Sequence, residues 1–273
     1  MGMRQNFSQS LDLIGTMANG GTLKALLDGG ATLDEITIVT DLAAAEFTLV
    51  VEVEGDRRVE ITGQQMLDRE AYEGRAATSG QFVFTFADPI AKTLQGESLT
   101  GMVTQPGQRV LVALELAASG IAGTETAVLY TETSENRVEE FRLYCLPELV
   151  PVSQTGENQF DGFRQGARMA QNFIRKIFNY GNITKLSIKQ DRKSVYGERE
   201  LAAAVNTGRL KRNGKTSPSS CFVFDPVVKG NVITDLFDTY SRESLRFTYT
   251  TGDSNDITAL TEYVQDLRPV ATA

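Results

Sequence analysis

Histidine and tryptophan are both absent from this chain of 273 residues. Without histidine there is no Ser-His-Asp or Cys-His nucleophile machine, no imidazole-ligated zinc, no metal-binding cupin site and no imidazole pH switch. Without tryptophan, the commonest stacking platform for sugars is missing. Cysteine occurs only at Cys145 and Cys221, too few for a disulfide framework or for a four-thiolate zinc site within one chain. These two read as reduced, buried thiols. Basic residues are in deficit: 27 Lys+Arg face 35 Asp+Glu, a net charge of -8. That is the wrong balance for a protein whose main task is to coat nucleic acid, because such binding neutralises phosphates with basic groups. No run approaches the roughly 20 apolar residues of a membrane helix. Met1 to Gly20 lacks a basic region leading into an apolar one, so the expectation is a soluble chain made in a cytoplasm. Met1-Gly2 is followed at position 6 by Asn, where a myristoylation signal needs Ser or Thr.

What is present is ordinary globular material, 41% apolar and 23% charged. Its strongest pattern is two-fold alternation. Phe47, Leu49, Val51 and Val53 alternate with Thr48, Val50, Glu52 and Glu54. Phe82, Phe84 and Phe86 are spaced by two, as are Val110, Val112, Leu114 and Leu116. Leu186 and Ile188 repeat the pattern, and so do Leu245, Phe247 and Tyr249. Such runs put one face inward and one outward, as half-buried strands do. Turn-forming clusters such as Ser119-Gly120 and Thr251-Gly252-Asp253-Ser254-Asn255 separate them. Helical signals are short: Gly63 to Gly74, and Glu198 to Thr207 with Gly208 placed as a C-terminal cap. Met169 to Tyr180 fits either a helix or a strand by its own periodicity.

The halves repeat one another at a shift of 135 residues. Val51, Val53 and Asp56-Arg57-Arg58 fall on Leu186, Ile188 and Asp191-Arg192-Lys193, and Met66 falls on Leu201 inside the second helix. After a drift of a few residues, Phe84-Thr85-Phe86-Ala87-Asp88-Pro89-Ile90-Ala91-Lys92 matches Phe222-Val223-Phe224-Asp225-Pro226-Val227-Val228-Lys229 with one deletion. Val110, Val112 and Leu114 then fall on Leu245, Phe247 and Tyr249, and Tyr130 falls near Tyr263. One such match is cheap, but the same order of blocks twice indicates a duplication. The repeat lays Met169 to Tyr180 on the strand-like Ile36-Thr37-Ile38-Val39, which favours strand there. Pro147 and Pro151 mark the junction. Each unit of ~130 residues suits an eight-stranded antiparallel sandwich of the jelly-roll kind. The expected architecture is all-β: two tandem eight-stranded antiparallel jelly-roll sandwiches with a few short helices. Residues 1–20 would be an N-terminal arm, 21–147 the first jelly roll and 148–273 the second.

The chain resembles the double jelly-roll major capsid proteins of the tectivirus and adenovirus-hexon lineage, and in compactness the corticovirus-type coat proteins. The resemblance is carried by Ile183-Thr184-Lys185-Leu186-Ser187-Ile188-Lys189-Gln190-Asp191, by the helix around Leu201, and by Phe222-Val223-Phe224-Asp225-Pro226-Val227-Val228-Lys229-Gly230. It implies a structural coat protein of an icosahedral bacteriophage, located in the virion, that forms homotrimers. Two sandwiches per chain would give a pseudo-hexameric block that tiles the shell with neighbouring trimers. Members often enclose an internal lipid membrane, toward which an N-terminal arm carrying Phe7, Leu11, Leu13 and Ile14 would face. The other partners it implies are penton and minor capsid or membrane proteins, with no direct contact to nucleic acid.

The remaining motifs carry little chemistry. Gly214-Lys215-Thr216 has the ending of a phosphate-binding loop, but Arg209 stands where the first glycine belongs and Pro218 where a helix must start. Arg209, Lys211, Arg212 and Lys215 read as a solvated or interfacial charge run. Asp253-Ser254-Asn255-Asp256 reads as a turn between strands, with calcium at a subunit contact as the alternative. Phe82, Phe84, Phe86, Phe222 and Phe224 read as core. The glycosylation triplets at Asn6 and Asn182 lack a secretory context. No residue is assigned to a catalytic, cofactor-binding or metal site. Two other functions compete with the coat protein: a tandem β-sandwich that binds carbohydrate or a receptor through exposed tyrosines, and an amidase-like enzyme with an acidic cleft between sandwiches.

Overall fold

The structure, a computed structural model, describes residues 7–87, 100–167, 171–231 and 234–268. The chain divides into two units, Met1–Ala71 with Arg75–Leu146, and Tyr72–Gly74 with Pro147–Ala273.

The first unit contains β1 (Phe7–Leu11), β2 (Ile14–Gly15), β3 (Thr22–Asp28), β4 (Thr32–Thr40), β5 (Phe47–Val53), β6 (Asp56–Thr62), α1 (Gly63–Tyr72, its last residue counted with the second unit), β7 (Gln81–Thr85), β8 (Met102–Val103), β9 (Arg109–Leu116) and β10 (Ala127–Ser134). One sheet has the order β1-β10-β4-β7, with the short β8 also on β4. The other has the order β6-β5-β9-β3, with β2 at its edge. Leaving out the two-residue strands, chain order alternates between the sheets except at the β5–β6 hairpin, which stays within one sheet, in the jelly-roll manner. The alternating runs face the space between them: Phe47, Leu49, Val51, Val112 and Leu114 of one sheet are buried, and so are Ile36, Ile38 and Leu129 of the other. Phe47 of β5 meets Phe82 of β7 edge to face at 4.9 Å, a favoured arrangement of two rings.

The second unit repeats this plan with β11 (Phe141–Val150, its residues up to Leu146 counted with the first unit), β12 (Gly156–Phe160), β13 (Asn172–Tyr180), β14 (Ile183–Gln190), β15 (Lys193–Ala202), α2 (Ala203–Arg212), β16 (Phe222–Phe224), β17 (Phe237–Asp238), β18 (Leu245–Thr251) and β19 (Ile257–Asp266). Its sheets run β11-β19-β13-β16, with β17 on β13, and β15-β14-β18-β12. Met169 to Tyr180 resolves as strand over Asn172–Tyr180. Leu186, Ile188, Phe247 and Ile177 fill the core, and the buried Tyr249 hydroxyl donates to the Asn179 side-chain oxygen at 3.0 Å.

Several local expectations need correction. The second helix is Ala203–Arg212, not Glu198 to Thr207, so Gly208 lies inside it and Leu201 lies in β15. Leu201 and Ala202 are in register with Leu186 and Lys185 of β14, and this pairing overrides the helical preference of the alanines. The helix stops at Asn213, followed by Gly214 at φ 75°, and α1 stops before Gly74 at φ 76°. In both, the next residue donates five positions back, Arg75 to the Glu70 carbonyl and Lys215 to the Leu210 carbonyl. The helices therefore correspond at a shift of 140, so Met66 does not match Leu201. Asp56 does not match Asp191 either. The first hairpin turns at Glu54-Gly55 and the second at Asp191-Arg192, all four at positive φ. Met1 to Gly20 does not wholly precede the first strand, because Phe7–Leu11 pairs with Leu129–Thr133. Pro147 does not break the chain but lies within β11. Asp88 to Lys92 lies outside the described residues.

Candidate assembly surface

In the second unit, Ile177 and Asn179 of β13 point into the sandwich, so Lys176 and Phe178 point to the opposite face of the sheet. Tyr72–Gly74 lies on that face. The Tyr72 ring meets Phe178 edge to face at 5.5 Å, and its hydroxyl donates to Asp225 at 2.6 Å. The Glu73 carboxylate pairs with Lys176 and, through its other oxygen, with Lys215. The two ammonium groups lie 5.4 and 5.7 Å from the centre of the Tyr72 ring, within cation–π range. The Thr216 amide donates to the Tyr72 carbonyl at 3.2 Å. Burial alone would raise the Glu73 carboxyl, but Lys176 and Lys215 outweigh it and hold it well below the usual carboxylate range. Burial pushes the Asp225 carboxyl up, against the pull of Lys176 and the Tyr72 hydroxyl. Burial and the Asp225 charge also push the Tyr72 phenol far above its ordinary value.

The first unit has the same face in a different state. A bulge falls at Asp34 in β4 and at Arg175 in β13, which makes Glu35 the counterpart of Lys176 and Thr37 that of Phe178. On the neighbouring strand, Glu132 is opposite Glu35 as Glu262 is opposite Lys176, and Tyr130 is opposite Thr37 as Leu260 is opposite Phe178. The first unit thus sets two carboxylates directly across from each other, a repulsive arrangement. The Glu35 carboxyl accepts hydrogen bonds from Thr37 at 3.2 Å and Thr85 at 3.3 Å. Burial raises it, the threonine bonds lower it and Glu132 raises it further, for a net upward shift. Tyr130 is 40% exposed, whereas Leu260 is fully buried.

The other residues singled out by sequence divide clearly. Lys215 serves Glu73, so Gly214-Lys215-Thr216 is a helix exit and not a phosphate loop. Arg209 donates to the Asp225 carbonyl at 2.6 Å, while Lys211 and Arg212 are exposed. Asp253 caps its own turn by accepting the Asn255 amide, and Asp256 accepts the Val152 amide at 2.8 Å. Cys145 and Cys221 are buried, and so are the five core phenylalanines. No group of three metal-ligating side chains and no membrane-length apolar helix occurs among the described residues. Sequence reading missed Tyr72, Glu73, Lys176, Glu35 and Glu132. Two positions matched at a shift of about 140 but opposite in charge were the available signal.

Two jelly rolls in tandem are the architecture of double jelly-roll viral major capsid proteins. The crystal structure of the major capsid protein P2 from bacteriophage PM2 matches with a TM-score of 0.84 at 15% identity, covering 97% of this chain and 98% of that one. The STIV MCP matches with a TM-score of 0.67 at 9% identity, covering 98% and 100%. The capsid of PBCV-1 virus matches with a TM-score of 0.54 at 11% identity, covering 97% and 93%. A search of curated protein sequences gives no match. The profile of the viral coat protein P2 N-terminal domain matches residues 9–131, and that of the viral coat protein P2 C-terminal domain matches residues 145–267. The chain belongs to the viral coat protein P2 family: it is a major capsid protein, and its place is the shell of the virion.

Proposed function

We propose that this coat protein assembles as a homotrimer, a pseudo-hexameric block of six sandwiches that tiles an icosahedral bacteriophage shell. The observation that carries the reading is the duplication itself: two eight-stranded jelly rolls of the same strand order in one chain. Three chains then present six similar blocks around one axis, and closed rotational symmetry lets one contact be used by every copy. The residue ranges 1–20, 21–147 and 148–273 serve in this reading as arm, first block and second block, the arm lending the strand Phe7–Leu11 to the first block's sheet. The role is structural and not catalytic, in keeping with sandwich interiors filled by apolar side chains such as Ile36, Leu49, Leu186 and Phe247. Penton and minor capsid proteins, and a lipid membrane under the shell near the arm, complete the proposed partners. Electron microscopy of the purified protein tests the block: averaged end-on views should show six lobes with three-fold symmetry. Views of isolated two-lobed particles at every concentration would sink it. Lipid analysis of purified virions tests the membrane.

A further inference from the structure

The two units treat equivalent faces differently, and the difference points to the surface that joins copies. On the second unit, the β13–β19 face is covered by the C-terminal end of a helix, Tyr72–Gly74, which the chain supplies from outside that unit's continuous stretch. Its counterpart by the shift of 140 is Arg212–Gly214 at the end of α2. Arg212 and Gly214 are exposed, and so is Val205 on the same helix at 64%. On the first unit, the β4–β10 face carries half-buried Glu35 and Thr37, exposed Glu132 and exposed Tyr130.

The charges are exchanged between the two halves of this arrangement. The covered face offers a base, Lys176, and its helix end brings an acid, Glu73. The open face offers two acids, Glu35 and Glu132, and the exposed helix end brings Lys211 and Arg212. The bias extends to whole units: residues 1–146 hold 21 Asp+Glu against 10 Lys+Arg, while residues 147–273 hold 14 against 17. Opposite charges on complementary patches steer association and set its register.

We propose that the β4–β10 face of each copy is the docking surface for a second copy of this chain. The C-terminal end of α2 of that copy seats on it as Tyr72–Gly74 seats on β13–β19, with Arg212 between Glu35 and Glu132 and over Tyr130. The contact is head to tail, so it propagates from copy to copy until the ring closes. It rests on the trimer reading above and deepens it by naming the surface.

The test uses the full chain and sedimentation over a dilution series, with circular dichroism to confirm the fold. Arg212→Glu and Glu132→Lys should each weaken the trimer by about tenfold or more, since each sets like charges against one another. The double variant should regain most of the wild-type affinity, because it restores opposite signs. Cysteines placed at Tyr130 and Arg212 together should form a disulfide between copies on mild oxidation, the native cysteines being buried. A wild-type trimer that neither charge reversal weakens, and that the paired cysteines do not link, would overturn this surface while leaving the trimer standing. A wild-type monomer at all concentrations would overturn both.

Discussion

Lys176 opposite Glu262 and Glu35 opposite Glu132 occupy the same place in two copies of one fold. The first pair is buried, and its lysine is neutralised by Glu73. The second is partly open and bears two negative charges. α1 and α2 differ in the same sense: Gln65, Met66, Asp68, Arg69, Glu70 and Tyr72 of α1 are buried, whereas α2 buries Asn206 and Leu210. A duplicated sandwich thus keeps its strand order and its core while its outer surfaces diverge. Core positions must fill a fixed space between two sheets, so most of them stay apolar in both units. An outer face is free to become whatever its neighbour requires.

The largest break in this comparison should come from Glu73→Gln. It leaves Lys176 and Lys215 charged and poorly exposed without their carboxylate, at a cost of about 3 kcal/mol or more. Glu132→Gln in the first unit should fall within about 0.5 kcal/mol of zero, because it removes an exposed, repelled charge. Urea unfolding of both variants checks the contrast, and equal losses would contradict it. Next in size is Tyr249→Phe, which leaves the buried Asn179 oxygen without its donor and should cost about 1–3 kcal/mol. The matching core site in the first unit is Ile38, which has no polar group to lose.

The hairpins sharpen the comparison at about 1 kcal/mol. Arg192 sits at φ 66° where the first unit uses Gly55 at φ 80°. Arg192→Gly should stabilise the protein by about 1 kcal/mol, and Gly55→Arg should destabilise it by a similar amount, since nothing crowds the Gly55 Cβ position. Thermal melts would show the two shifts with opposite signs. The smallest effect is in pH. Glu35, raised by burial and by Glu132, costs the fold most when ionised, and that cost vanishes as pH falls through its folded value toward 4.5. Glu73 has the opposite sign: held low by two lysines, it stabilises above the unfolded value of 4.5, and that stability is lost as pH falls through its folded value. On mild acidification wild type should gain on Glu35→Gln and should not gain on Glu73→Gln. Urea midpoints over a pH series read both differences.

The strands that sequence revealed are those with strong alternation, such as Phe47–Val53 and Leu245–Thr251, because sandwich burial imposes a period of two. Phe7–Leu11 carries no strand signal because its polar Ser8, Gln9 and Ser10 dilute the pattern, and pairing with β10 makes it a strand. The start of the second helix is hidden in the sequence because the helix-forming alanines continue from a strand, Lys193–Ala202, into α2 without a capping side chain. α1, by contrast, opens on a reciprocal cap between Thr62 and Gln65, a spacing visible in the sequence. Glu35 opposite Glu132 was not legible, since it depends on a register shifted by a bulge. The charge imbalance between the halves was countable, but it acquires meaning only once equivalent faces are known.

The most direct test is the native mass of the purified wild-type chain by light scattering across a wide dilution range. A mass of three chains that persists on dilution is the expected result. A mass of one chain at every concentration would contradict the assembly on which this reading of the coat protein depends.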